Sequence, residues 1–340
     1  MDITSPFAGL SGFTLLSNLT FAVMTVTFDP LRPHAPPLLS ATNVSGHVTL
    51  PFAIPLDVYA ATMDVNVTDA GGNAVAAAMY ADQPCAYVAL GPRDGTLSVN
   101  LPPRPIDILD AERLGDIIGE LVREPWVMLG LAGVNSAYAS TAVGNISVSD
   151  VPLSAMFRIR GMDSFRNSPI VLGAIHIQAA SRDWVNGSVP MKLLNPSTVA
   201  VSMGRVTLHG YYNGSLVAYV SVSQFALPPG VTVLAAEVNV LRPADAVGRQ
   251  AVADFLSRYM RGEGSVVTAR GFMGSTDVPV LQKPLSELEA NCTVPGMTTN
   301  LITNGTIEWD WPLIFDLVRA CVRALAWCSL APSRRFARCA

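Results

Sequence analysis

Apolar and polar residues alternate with a period of two along most of this chain, most clearly over residues 193–241. Val199, Val201 and Met203 alternate with Ala200 and Ser202, and Val206 and Leu208 flank Thr207, the pattern of strands that bury one face. Tyr212-Asn213-Gly214-Ser215 predicts a hairpin turn, because Asn and Gly tolerate the positive φ of tight turns. A second strand is expected over residues 216–223 through Val217 and Tyr219. Pro228-Pro229-Gly230 ends it, since proline has no amide hydrogen for the ladder. A third strand over residues 231–240 completes a meander.

A diluted copy of this order stands earlier in the chain. Residues 21–28 alternate as a strand and the Pro-rich residues 29–39 read as a loop. Strands over residues 50–60 and 63–67, a turn at Asp69-Ala70-Gly71-Gly72-Asn73 and a strand over residues 74–80 follow. Asn43-Val44-Ser45 recurs as Asn186-Gly187-Ser188, Val58 and Val65 as Val201 and Leu208, and Val75-Ala76 as Val217-Ala218. Further on, Val127 matches Val266, Pro152-Leu153-Ser154 matches Pro284-Leu285-Ser286, and Gly161-Met162 matches Gly296-Met297. Matches kept in order indicate an internal duplication. Each copy also carries a 3.6-period segment. In the first, Asp107 or Asp110 caps a helix whose apolar face is Leu114, Ile117, Ile118, Leu121 and Val122. In the second, Pro243 and Asp245 open a helix with Val252, Phe255, Leu256 and Tyr259 on its face.

The expected architecture is therefore all-β, with two tandem domains, 1–165 and 166–298, each a sheet meander with one amphipathic helix. A tail, 299–340, follows. There Trp309-Asp310-Trp311-Pro312 introduces an apolar helix through Trp327 that carries Asp316, Arg319 and Arg323 on one face. Three charges argue against that helix spanning a bilayer. Lying on a membrane surface, packing on the domains and read-through of non-coding sequence all remain open for it.

Half of the 340 residues are hydrophobic and 14% are charged, which suits a turn-rich β protein. The net charge of −4 and the presence of just two lysines, Lys192 and Lys283, argue against a nucleic-acid partner. Eight Asn-x-Ser/Thr sequons occur, at Asn18, Asn43, Asn66, Asn145, Asn186, Asn213, Asn291 and Asn304. With 15 asparagines, chance supplies about two, so N-glycosylation on the lumenal or outer side of a membrane is expected. Met1-Asp2 lacks the positive start of a signal peptide, and no run of 18 apolar residues offers a membrane span. Membrane association is expected through a segment missing from this chain or through the C-terminal amphipathic helix. Unoccupied sequons would instead place the chain in the cytoplasm.

Chemistry leaves little trace in the sequence. His34, His47, His176 and His209 are scattered, and the five cysteines show no zinc spacing. Cys85 reads as a buried thiol. Asp107, Asp110, Glu112 and Asp116 read as a helix start complementing its dipole rather than as a metal site. No nucleophile elbow, phosphate loop or dinucleotide fingerprint is present. No catalytic, cofactor-binding or metal residues are assigned, and no cofactor is expected.

Leu194-Asn195-Pro196-Ser197 opening a strand, Gly204-Arg205-Val206-Thr207-Leu208, Tyr212-Asn213-Gly214, Leu227-Pro228-Pro229-Gly230 and, in the first copy, Pro51-Phe52-Ala53-Ile54-Pro55 resemble the LEA2-like superfamily, and in particular the fungal DUF3712 proteins. The resemblance covers about residues 40–297. It implies tandem seven-stranded sandwiches on the lumenal or outer side of a membrane, vacuolar or at the cell surface, with no established active site. The functional expectation is a non-catalytic module for protein or lipid interaction. One alternative is lipid or apolar-ligand binding in a cavity closed by the helices, lined by Val201, Val217, Tyr219, Val252, Phe255, Leu256 and Tyr259. A second is a hydrolase-type enzyme with an unrecognised polar cleft.

Overall fold

The computed structural model describes residues 3–4, 16–49, 56–91, 93–142, 144–165, 170–181 and 183–297. The first half of the chain runs β1 (Ile3–Thr4), β2 (Leu16–Thr20), β3 (Val23–Thr27), β4 (Leu38–Thr49), β5 (Leu56–Thr68), β6 (Ala74–Ala89), β7 (Asp94–Pro105), β8 (Asp107–Ile108), α1 (Ala111–Arg123), β9 (Trp126–Thr141) and β10 (Gly144–Arg160). The second half runs β11 (Ile170–Leu172), β12 (His176–Ala180), β13 (Trp184–Asn195), β14 (Val199–Met203), β15 (Val206–Tyr212), β16 (Ser215–Val222), β17 (Phe225–Leu227), β18 (Gly230–Leu241), α2 (Ala246–Met260), β19 (Ser265–Arg270), α3 (Pro279–Ser286) and β20 (Glu289–Val294). The fold is all-β, as the period-2 pattern predicts.

Two sheets contain these strands. In the first, the order β1-β10-β9-β5-β6-β7-β4-β3-β14-β17 bends at β6. The Ala74 to Pro84 part of β6 pairs with β5, and Cys85 to Ala89 pairs with β7. One long strand thus feeds two arms, whose inner faces meet across an apolar interior. In the second sheet the order is β11-β20-β19-β15-β16-β18-β13-β12. Because β11 pairs with β20 on one side and with β13 on the other, the hydrogen bonding closes into a ring. Closure removes most of the free edge.

The two halves use one pairing order. In the first it is β4-β7-β6-β5-β9-β10, and in the second β13-β18-β16-β15-β19-β20. The helices take equivalent places. Asp110 accepts a hydrogen bond from the Arg113 amide at 3.0 Å, and Asp245 one from the Gly248 amide at 2.6 Å, each satisfying a donor of the first helical turn. After the last strand of each half, a Gly-Met pair seals the C-terminus of its helix. The Met162 amide donates to the Leu121 carbonyl at 2.7 Å, and the Met297 amide to the Tyr259 carbonyl at 2.8 Å. A Cβ on Gly161 would stand 2.1 Å from the Glu124 carbonyl oxygen, and one on Gly296 2.0 Å from the Gly262 carbonyl carbon, so both positions require glycine.

Three features differ from the sequence expectation. Residues 56–68 form one strand with register shifts rather than two separate strands. Pro284 lies in α3 rather than in a strand like Pro152, so that match does not join equivalent positions. Finally, β14 leaves the predicted meander. After Gly204 the chain turns, and β14 pairs parallel with β3, Val199 opposite Met24 and Val201 opposite Val26, while β17 adds beyond it. Strands from beyond residue 165 therefore complete the first sheet, and hydrogen bonding runs across the expected domain border. Helices join the halves as well, since α3 packs on α1, with the Lys283 ammonium 2.7 Å from Asp116 and Arg123 paired with Glu287. Gly115 allows this approach, a Cβ there lying 3.1 Å from the Val280 carbonyl oxygen. The expected tail, with Asn304, Cys321, Cys328 and Cys339, lies outside the described residues.

Candidate apolar-ligand cavity

Inward positions of the first sheet are rich in small residues. Ala41 and Gly46 on β4, Ala61 on β5, and Ala137 and Ala139 on β9 all face the interior between the arms. Small side chains on both walls leave the space unfilled, and a cavity of about 210 Å³ results. Val44, Val99 and Leu101 line it from one arm, and Val65, Leu153 and Phe157 from the other. A second cavity of about 90 Å³ lies under the apolar face of α1, bounded by Leu114, Ile117 and Leu121 together with Val199 and Val201 of β14. Met24, Leu39, Val67 and Leu129 line both spaces. The helix therefore stands across one end of the larger cavity.

The walls carry no formal charge: among the described residues, no Asp, Glu, Lys, Arg or His lines either space. Three polar side chains line the larger one, Tyr80, Asn135 and Ser136. Tyr80 is 1% exposed and its hydroxyl donates to the Leu39 carbonyl oxygen at 3.0 Å, tying β6 to β4. Burial pushes that hydroxyl up to about 12. Asn135 sits on β9 opposite Val151, where the β10 register shifts between Val148 and Val151 and Asp150 takes φ 58°. Asn135 falls in the same period-2 phase of β9 as Leu129, Leu131, Ala137 and Ala139, which also line the space, and its buried Oδ1 has no hydrogen-bond partner.

Of the residues expected from sequence to line a cavity, Val201 borders the space under α1. Val217, Val252, Phe255 and Tyr259 lie in the core of the second half, with Leu256 packed against them. The Tyr259 hydroxyl accepts a hydrogen bond from the Ile175 amide at 3.2 Å. Tyr219 meets the His209 ring edge-on at 4.9 Å, and His209 stacks on Phe272 at 4.2 Å. These residues belong to the buried core of the second half and to an aromatic cluster, whereas the cavity of about 210 Å³ lies in the first half. Sequence reasoning missed Tyr80 and Asn135. The signal that points there is the run of inward alanines on β4, β5 and β9.

Of the seven sequon asparagines among the described residues, five are exposed. Asn18, Asn43, Asn145, Asn213 and Asn291 are exposed, and Asn66 and Asn186 are half-buried. Asn213 forms the tip of the β15–β16 hairpin with φ 49°, as predicted for that turn. Cys292 is buried and Cys85 half-buried rather than fully buried as expected, and burial pushes both free thiols up to about 11. Asp110 caps α1, and Asp116 and Glu112 both pair with Lys283, so three of the four acidic residues near that helix have structural partners. Among the described residues no cluster of His, Cys, Asp and Glu could hold a metal ion, and no helix is long and apolar enough to cross a membrane.

No curated protein matches the chain in sequence. A family model described as protein of unknown function (DUF3712) matches residues 89–210, a segment spanning α1, the β9–β10 wall of the cavity and β14, and over these residues the chain is similar to that family.

Proposed function

We propose that this chain is a non-catalytic β module that takes up an apolar, lipid-derived ligand in the cavity of its first sheet. The observation that carries this reading is the cavity itself, about 210 Å³ with uncharged, largely aliphatic walls and α1 across one end. For scale, an engineered apolar cavity of about 150 Å³ in another protein stays dry and binds benzene. Wall atoms around such a space lack packing partners on one side, and a hydrocarbon restores those contacts. A polar substrate would lose its water there without compensation, which disfavours the hydrolase reading.

The matching strand orders of the two halves support a duplicated β-sandwich of LEA2-like type, with the first copy holding the ligand. Exposed sequons on both halves support a lumenal or outer-surface location, vacuolar or at the cell surface. Membrane association would then come from a segment outside the described residues.

The test is native mass spectrometry of the protein purified from its own cells, before and after removal of N-glycans, with organic extraction of any released small molecule. The expected result is one apolar molecule per chain and glycans at Asn43, Asn145 and Asn213. A chain that carries no such molecule and binds neither benzene nor cyclohexane would overturn the ligand reading. Unmodified asparagines would move the chain to the cytoplasm.

A further inference from the structure

Building on the apolar-ligand reading, we propose that the outward face of β9 and β10, where Trp126, Met128 and Met156 stand beside Arg158 and Arg160, docks this chain on an anionic lipid surface from which the cavity draws its ligand. Strand alternation sorts the two faces. On β9 Val127 and Leu129 are buried while Trp126 and Met128 are 47% and 42% exposed, and on β10 Leu153 and Ile159 are buried while Met156 is 50% exposed. Pairing sets Arg158 opposite Met128, Arg160 opposite Trp126 and Met156 opposite Gly130, so the outward side chains form one patch. The Arg158 guanidinium lies 4.4 Å over the Trp126 ring.

Charge decides the partner. Both arginines are exposed, and neither has a carboxylate partner among the described residues. Carboxylates bound the patch rather than enter it, with Glu124 before β9 and Asp64 opposite Val134. Guanidinium groups bind lipid phosphate, tryptophan settles at headgroup level, and exposed methionines gain by entering the hydrocarbon below. Two features of β10 favour lipid over an acidic protein. Its inward face lines the cavity through Leu153 and Phe157. On the side away from β9, described residues pair with it only at Ile146 and Ser147, so from Val151 to Arg160 that edge has no ladder partner. Hydrocarbon taken up at this face has a single strand to pass. The glycan expected at Asn145 stands at the opposite end of β10 from Arg160, roughly 50 Å away at about 3.3 Å per residue. Asn66 is on the outward side opposite Ala132, so docking requires this half-buried sequon to stay unmodified.

The experiment sediments the full-length protein with vesicles of phosphatidylcholine alone and of phosphatidylcholine mixed with phosphatidylserine. The wild type is expected to bind the mixed vesicles at least tenfold more tightly than the neutral ones, and less tightly as salt is raised. The double variant Arg158→Gln/Arg160→Gln and the single variant Met128→Asp should each lose about tenfold or more on mixed vesicles. Because these side chains are exposed, both variants should keep the wild-type thermal midpoint, and if one fails to fold the other decides. Equal binding by wild type and variants would overturn the docking face. Variant-sensitive capture on polyglutamate as tight as on mixed vesicles would overturn the lipid partner in favour of an acidic protein. A glycan on Asn66 of the protein from its own cells would also overturn docking. Benzene uptake, measured separately on the same protein, tests the reading beneath: lost vesicle binding with uptake intact overturns this inference alone. A chain that takes up neither benzene nor cyclohexane overturns the apolar-ligand reading and the inference with it.

Discussion

Tyr80 shows how a single side chain can serve both the fold and the cavity. Its ring fills one side of the apolar interior and its hydroxyl holds β4 through the Leu39 carbonyl. Replacing it with Phe should cost about 1 kcal/mol, measured by urea unfolding at neutral pH. The same change should alter the alkaline response. Burial raises the Tyr80 hydroxyl from 10.0 to about 12, so between those values the folded chain keeps a proton that the unfolded chain has lost. This part of the stability is fully present below pH 10 and is lost as pH rises to about 12, and Tyr80→Phe should flatten that loss. The thiols offer a second check. With Cys85 and Cys292 both pushed up to about 11 by burial, neither should react appreciably with iodoacetamide at neutral pH until urea unfolds the chain. Rapid labelling of either thiol in the folded chain would contradict their described surroundings.

Helix starts were legible at the level of the element, because the signal is local. Asp110 and Asp245 stand where their residue type and the following apolar period place them, and each caps as expected. Substituting either with Ala should cost about 1 kcal/mol, checked by thermal unfolding of the single variants. Gly161 and Gly296, recognised as a matched pair in the duplication, seal the two helix ends. Ala at either would push a Cβ into backbone and should destabilise by roughly 1–3 kcal/mol. Two elements were not legible. The short helix α3 hides behind Pro284, which reads locally as a break, yet Leu281 and Leu285 are buried and the helix is held by α1. Strand β14 has an ordinary strand pattern, and nothing in residues 199–203 tells that its partner is β3 rather than β15. Pairing partners distant in sequence are set by the assembled molecule.

The all-β class and the twofold order of elements could be read for the whole molecule from periodicity and ordered matches. The place of the cavity could not. A cavity is a difference between the space enclosed by two arms of a sheet and the volume of the side chains inside it, and only one of those is written locally. Alanines on β4, β5 and β9 carry the missing volume, while Val217, Val252 and Phe255 are buried core residues of the second half. Sequence reasoning placed the ligand beside the larger side chains because they mark an apolar face. Unfilled space forms instead where the inward residues are small.

The most direct test of the central claim is the thermal midpoint of the wild-type chain and of an Ala139→Leu variant, each with and without saturating 1-octanol. Ala139 is buried and faces the cavity from β9, so the added methyl groups should enter empty space. The variant should be as stable as the wild type or more so, by roughly 0.5–2 kcal/mol, and should no longer respond to octanol. The wild type should be stabilised by about 2.7 kcal/mol at a hundred times its dissociation constant. A variant destabilised by overpacking, together with a wild type indifferent to octanol, would mean that the space between the arms is not available to a ligand.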